Sequence, residues 1–197
     1  QRDLGRLRVQ LERVGALLEQ VGVVAQQREG GRLDGGLLLF HPLAHVDPVG
    51  NAVRVGDDQR RAVIGFGLKK GAIASSVSHD SHIIVVVGTH DGDMYTAAVQ
   101  VVKMQGGIVA ALNGQVLEAL PLPVAGLMSD RSADFVREKQ KRLNEIARML
   151  GSKLSDPFMA MSFLTLPPIP EIRITDRGLI DAVKFKVTPL FCGPGGK

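Results

Sequence analysis

The sequence predicts an α+β fold in which helices pack on a mixed, largely antiparallel β-sheet. Three observations lead there. Apolar runs of strand length are set between glycines and prolines, two segments carry apolar residues at helical spacing, and Asn113-Gly114 joins two strand-like runs. At 197 residues and 45% hydrophobic content the chain can bury a good-sized core.

Taken in order, Leu4, Leu7, Leu11, Val14, Leu18 and Val21 fall on one stripe, predicting a helix over residues 3–21. Glycines then flank a short apolar run at 37–40, read as a brief strand. His41 and His45 are four apart, a ligand spacing on a helix, but Pro42 sits where that helix would begin and no carboxylate completes a site. Residues 1–63 contain no Ser, Thr, Ile, Met, Lys or Tyr, and all their basic residues are arginines, nine of them. The rest of the chain uses these types freely. Two readings of this step stay open: a low-complexity extension, or a GC-rich stretch translated in a foreign frame. The expected organisation is therefore an extension over 1–63, a domain over 64–190 and a tail over 191–197.

Within the domain, the small-residue stretch 71–78 reads as a loop, and the β-branched run 83–87 as a strand buried on both faces. Asp91 or Asp93 offers the N-cap of a helix carrying Met94, Ala97, Ala98, Val101 and Val102, which Gly106 and Gly107 stop. Residues 108–112 and 115–120 form a hairpin around Asn113-Gly114, the pair best suited to a type I′ turn. Asp130 or Ser132 caps a second helix with Phe135, Leu143, Ile146, Ala147 and Leu150 on one face. Its Arg137, Lys139, Lys141 and Arg142 mostly face water. The apolar run 158–166 reads as a strand. Pro167, Pro168 and Pro170 then force an extended crossing, 171–175 alternates as an edge strand, Asp176-Arg177-Gly178 turns, and 183–187 is a last strand.

Composition also narrows function. No apolar run approaches the roughly 20 residues of a membrane span. One cysteine, Cys192, excludes a disulfide framework within the chain and suits a cytoplasmic location. The net charge of +4 is spread along the chain, with one Tyr and no Trp to stack on bases, so nucleic acid is not an expected partner. Gly65-x-Gly67 followed by Gly71 misses dinucleotide spacing by one residue and follows no clear strand.

The stretch Gly65-Phe66-Gly67-Leu68-Lys69-Lys70-Gly71-Ala72-Ile73-Ala74-Ser75-Ser76-Val77-Ser78-His79-Asp80-Ser81-His82 resembles the signature of the adenine deaminase C-terminal domain. Further matches follow in order: Val85-Val86-Val87-Gly88-Thr89, Gly106-Gly107-Ile108-Val109, Leu120-Pro121-Leu122-Pro123-Val124-Ala125-Gly126-Leu127-Met128-Ser129, Asp156-Pro157-Phe158-Met159, and Thr175-Asp176-Arg177-Gly178-Leu179-Ile180-Asp181. Ile83 and Ile64 depart from it, standing where the family usually has Asn and Lys.

The resemblance implies part of an amidohydrolase that converts adenine and water to hypoxanthine and ammonia, using a divalent metal, manganese or iron, bound by a barrel. This chain has no His-x-His pair and no barrel-like series before residue 63, so the isolated chain is expected to be inactive. The implied partners are adenine, the missing barrel and a second copy in a homo-oligomer. A non-catalytic purine-binding or structural module is the rival reading.

His79, Asp80, Ser81 and His82 form the densest polar group in the chain. In the functional reading His79 or His82 binds or protonates the purine and Asp80 orients an imidazole, making these three the catalytic candidates. Ser75, Ser76 and Ser81 are the candidate substrate-binding residues. The competing reading is hydrogen bonding at the start of a strand. Metal binding by the group alone would need a further ligand, and His90 would stand about 25 Å away along a straight strand. Four residues so close in one loop also cannot easily align as a Ser-His-Asp triad.

Overall fold

The computed structural model describes residues 23–26, 65–78, 80–175 and 178–188. The predicted helix over 3–21, the strand over 37–40, His41, His45, His79, the Asp176-Arg177 turn and the tail 191–197 lie outside the described residues.

Strands β1 (Val23–Gln26), β2 (Ala72–Ser75), β3 (Val85–Gly88), β4 (Gly107–Leu112) and β5 (Gln115–Pro121) form one sheet in the order β1-β3-β2-β4-β5. β1, which the sequence reading did not foresee, runs parallel to β3, and every other pairing is antiparallel. Strands β6 (Ile172–Thr175), β7 (Gly178–Asp181) and β8 (Lys186–Thr188) make a second, antiparallel sheet. Helices α1 (Asp91–Lys103), α2 (Ala133–Met149) and α3 (Pro157–Leu164) complete the α+β fold. Among the described residues no helix is long and apolar enough to cross a membrane.

The alternation of side chains along each strand divides the core in two. Ala72 and Ala74 of β2, Val86 of β3, and Val109 and Ala111 of β4 meet Met94, Ala97, Ala98 and Val101 of α1. Small residues are required on that face because α1 lies close: a Cβ on Gly88 would sit 2.5 Å from Met94 Cγ. The opposite face carries the larger side chains. Ile73, Val85, Val87, Ile108 and Leu120 pack there with Leu143, Ala147 and Leu150 of α2 and with Phe158, Met161 and Leu164 of α3. Ile174 and Leu179 carry the second sheet into the same cluster.

Several expectations are corrected. The stretch 71–78 contains the central strand β2, buried on both faces, and its small residues are what the close approach of α1 demands. The run 158–166 is helical over Pro157–Leu164: Asp156 Oδ1 accepts from Met159 N at 3.1 Å, and Pro157 occupies the first turn, where no N–H is needed. An apolar segment buried on more than one side has no period to distinguish helix from strand. Beyond it, residues 167–170 turn instead of running extended, with Ile169 N donating to Leu166 O.

The cap of α1 is His90, whose Nδ1 accepts from Gly92 N at 3.3 Å, and not Asp91 or Asp93. Asp93 is buried and ties the helix to the hairpin by accepting Gly114 N at 2.7 Å. Of the two cap candidates for α2, Ser132 serves. Lys139 and Arg142 do not simply face water: Glu118 on β5 takes Lys139 Nζ at 2.6 Å and Arg142 Nε at 3.3 Å. Arg173 on β6 is fully buried, with its guanidinium donating to Ile172 O and Pro170 O. Val183 lies in the turn before β8, so the last strand starts later than predicted.

Candidate functional site

The antiparallel strands bring loops of distant sequence together at each end of the main sheet. At one end β2 leaves the sheet, β3 enters and β4 begins. Here Ser76 and residues 82–84 stand beside Gln105 and Gly106, which follow α1, and beside Ala125 and Gly126 in the turn after β5. They enclose a cleft of about 340 Å³ whose walls include Ser76, His82 and Val101.

Ser75 and Ser76 are committed to this framework. Ser75 is buried, and its Oγ accepts from Val77 N at 3.0 Å. Ser76 Oγ donates to Gly126 O at 2.6 Å and accepts from Gly107 N at 2.8 Å, clipping β2 to β4 and to the turn after β5. Ser81 Oγ donates to Thr165 O at 2.5 Å. Each of the three predicted substrate-binding serines is thus engaged with the backbone. Asp80 and His82 remain exposed.

The backbone around the cleft is unusual. Among the described residues five non-glycines have positive φ, and three of them, His82 (53°), Gln105 (60°) and Ala125 (57°), line this one cleft. A side chain in the left-handed region costs about 1–3 kcal/mol and persists only where the surroundings enforce it. Packing supplies that enforcement: a Cβ on Gly106 would stand 2.4 Å from Gly126 Cα, so the two turns are in contact with no room between them. Such strain concentrates at working surfaces.

The other end of the sheet carries a larger cleft of about 700 Å³, bordered by Lys69, Lys70, Thr89, His90, Asp93 and Asn113. Among the described residues none of the predicted site residues borders it, so size and chemistry point to opposite ends.

Three groups outside the two clefts, Glu118, Arg173 and Asp181, have shifted ionisation. Burial alone would raise the Glu118 carboxyl, but the hydrogen bond from Lys139, the Ala119 N–H and the charges of Lys139 and Arg142 together hold it below the usual carboxylate range. Burial pushes Arg173 down to about 10, against the charge of Glu171. Asp181, at the end of β7, is lowered by Lys184 and by the N–H groups of Lys184 and Val183.

Among the described residues no three His, Cys, Asp or Glu converge to hold a metal ion. Sequence reasoning missed Ser78, Thr165, Gln105 and Ala125. Only the Pro-Val-Ala-Gly turn, as a glycine-bearing loop, gave a local signal for any of them.

The model of the adenine deaminase C-terminal domain matches residues 49–186, a span that begins upstream of the compositional step at residue 63. The chain is 54% identical over 129 residues to the adenine deaminase of Desulfatibacillum aliphaticivorans, covering 66% of this chain and 23% of that protein. It is 48% identical over 134 residues to that of Dehalococcoides mccartyi strain 195, covering 68% and 24%. Against the Brucella abortus strain 2308 enzyme it is 52% identical over 124 residues, covering 63% and 21%. The chain thus spans about a quarter of the length of these curated relatives. With most of its length matched by the family model, the chain belongs to the adenine deaminase C-terminal domain family.

Proposed function

We propose that this chain is the C-terminal portion of an adenine deaminase, shaping the adenine pocket in the conversion of adenine and water to hypoxanthine and ammonia. The observation that supports this reading is the convergence of His82, Gln105 and Ala125, three strained non-glycine residues, on one cleft, with His82 the last residue of the His79-Asp80-Ser81-His82 motif. In this reading His79 and His82 bind the purine or move a proton to it, and Asp80 orients an imidazole. Ser75, Ser76 and Ser81 hold the loop whose backbone borders the base.

The divalent metal, manganese or iron, belongs to the remainder of the enzyme, and the described residues take no part in holding it. The chain alone is therefore inactive toward adenine. Its setting is the cytoplasm, with adenine as the substrate of the whole enzyme and a second copy as a further partner.

The test is a chimera: the full-length Desulfatibacillum aliphaticivorans enzyme carrying residues 65–188 of this chain in place of its own matching segment. The chimera should release ammonia from adenine, and His82→Ala or His79→Ala should lower its kcat about 100-fold. Full activity in both variants would exclude the loop from the reaction.

A further inference from the structure

Ser78 and His82 are tied to each other, and Ser78 and Ser81 are anchored to a single residue far along the chain. His82 N donates to Ser78 O at 2.7 Å, closing the turn. Ser78 Oγ lies 2.6 Å from Thr165 Oγ1, and Ser81 Oγ donates to Thr165 O at 2.5 Å. These partners are 87 and 84 positions apart in sequence. The Thr165 hydroxyl has one hydrogen, which goes to Ser162 O at 3.1 Å, so Ser78 is the donor in the first contact.

Thr165 is a firm anchor. It is 1% exposed, caps the C-terminus of α3, and is followed by Pro167 and Pro168. Ser78 is likewise wholly buried, whereas Asp80 and His82, carried between and beside the two anchored hydroxyls, are exposed. The buried part of the turn is thus bound to α3, and the part that bears the titratable groups faces outward. α3 is seated in the core by Phe158, Met161 and Leu164, independently of these hydroxyls. Losing the hydroxyl contacts therefore frees the turn before it disturbs the sheet.

We propose that Thr165 is a positioning residue for deamination: through Ser78 and Ser81 it fixes where the turn presents His82 to the cleft. The inference rests on reading that turn as part of the adenine site. Misplacing a reacting group by about 1 Å can cost about 100-fold in rate, so a single anchor of this kind has leverage on turnover.

Two measurements test it. In the 197-residue chain, Thr165→Val should shift or broaden the backbone amide NMR signals of residues 80–82 while those of β2, β3 and α1 hold their places. In the chimera, Thr165→Val and the milder Ser81→Ala should each lower kcat about 10- to 100-fold with little change in KM, and Thr165→Ser should restore it. If His82→Ala cripples the chimera while Thr165→Val and Ser81→Ala leave kcat untouched, the positioning role is overturned and the site reading stands. If Thr165→Ser is as impaired as Thr165→Val, Thr165 acts through packing and the proposal also falls. A chimera that is inactive, or indifferent to His79→Ala and His82→Ala, overturns the site reading itself.

Discussion

The two ends of the main sheet accommodate positive φ in different ways. At the end with the larger cleft, left-handed backbone falls on Gly71, Asn113 and Gly114, residue types that adopt it at little cost. At the end with the smaller cleft it falls on His82, Gln105 and Ala125 as well as on Gly106 and Gly126. One end is relaxed turn chemistry. The other keeps strain that its packing must enforce, and there the family's polar motif emerges.

The contrast is broken most severely at Gly106. Its φ of 119° and the 2.4 Å approach of an added Cβ to Gly126 Cα mean that Gly106→Ala should destabilise the fold by about 2–4 kcal/mol, measured by urea unfolding. Gly114→Ala, at the relaxed end, has the same backbone problem but nothing within 4 Å, and should cost about 1 kcal/mol.

The Glu118 cluster lies at neither end and serves as a control on global stability. Its folded carboxyl titrates below the unfolded one, so its contribution is present above the unfolded pKa and is lost as pH falls through the folded pKa. Glu118→Gln should therefore lose about 1 kcal/mol near neutrality, and less as the pH falls into the carboxylate range, where the wild-type carboxyl also protonates. The smallest effect has the opposite sign. Ala125→Gly relieves a φ of 57° and should raise stability by a few tenths to about 1 kcal/mol while lowering activity of the chimera. Asn113→Gly, its counterpart in the relaxed hairpin, should leave activity unchanged.

What was legible in the sequence was local. Asn113-Gly114 announced the hairpin because its two positive φ values, 54° and 72°, are a property of those two residues. The buried face of α2 followed from short-range spacing in the same way, and the cap fell to Ser132, one of the two candidates that spacing offered with Asp130. β2 was hidden because three of its four residues, Ala72, Ala74 and Ser75, are small, and with Ile73 alone as a large apolar residue the stretch reads as loop. α3 was hidden because a helix buried on more than one side carries no amphipathic period. The site was legible only as a motif. That Ser78 and Ser81 share Thr165, or that Gln105 and Ala125 meet beside His82, depends on chain closure over many tens of residues, which no local pattern encodes.

The central claim is that this domain serves a hydrolytic centre whose metal-binding residues lie elsewhere. Ammonia release from adenine by the purified 197-residue chain, freed of every other polypeptide and supplied with manganese or iron, tests it most directly. No turnover above the uncatalysed rate is the predicted result. Hypoxanthine formed in proportion to the chain alone would contradict the account.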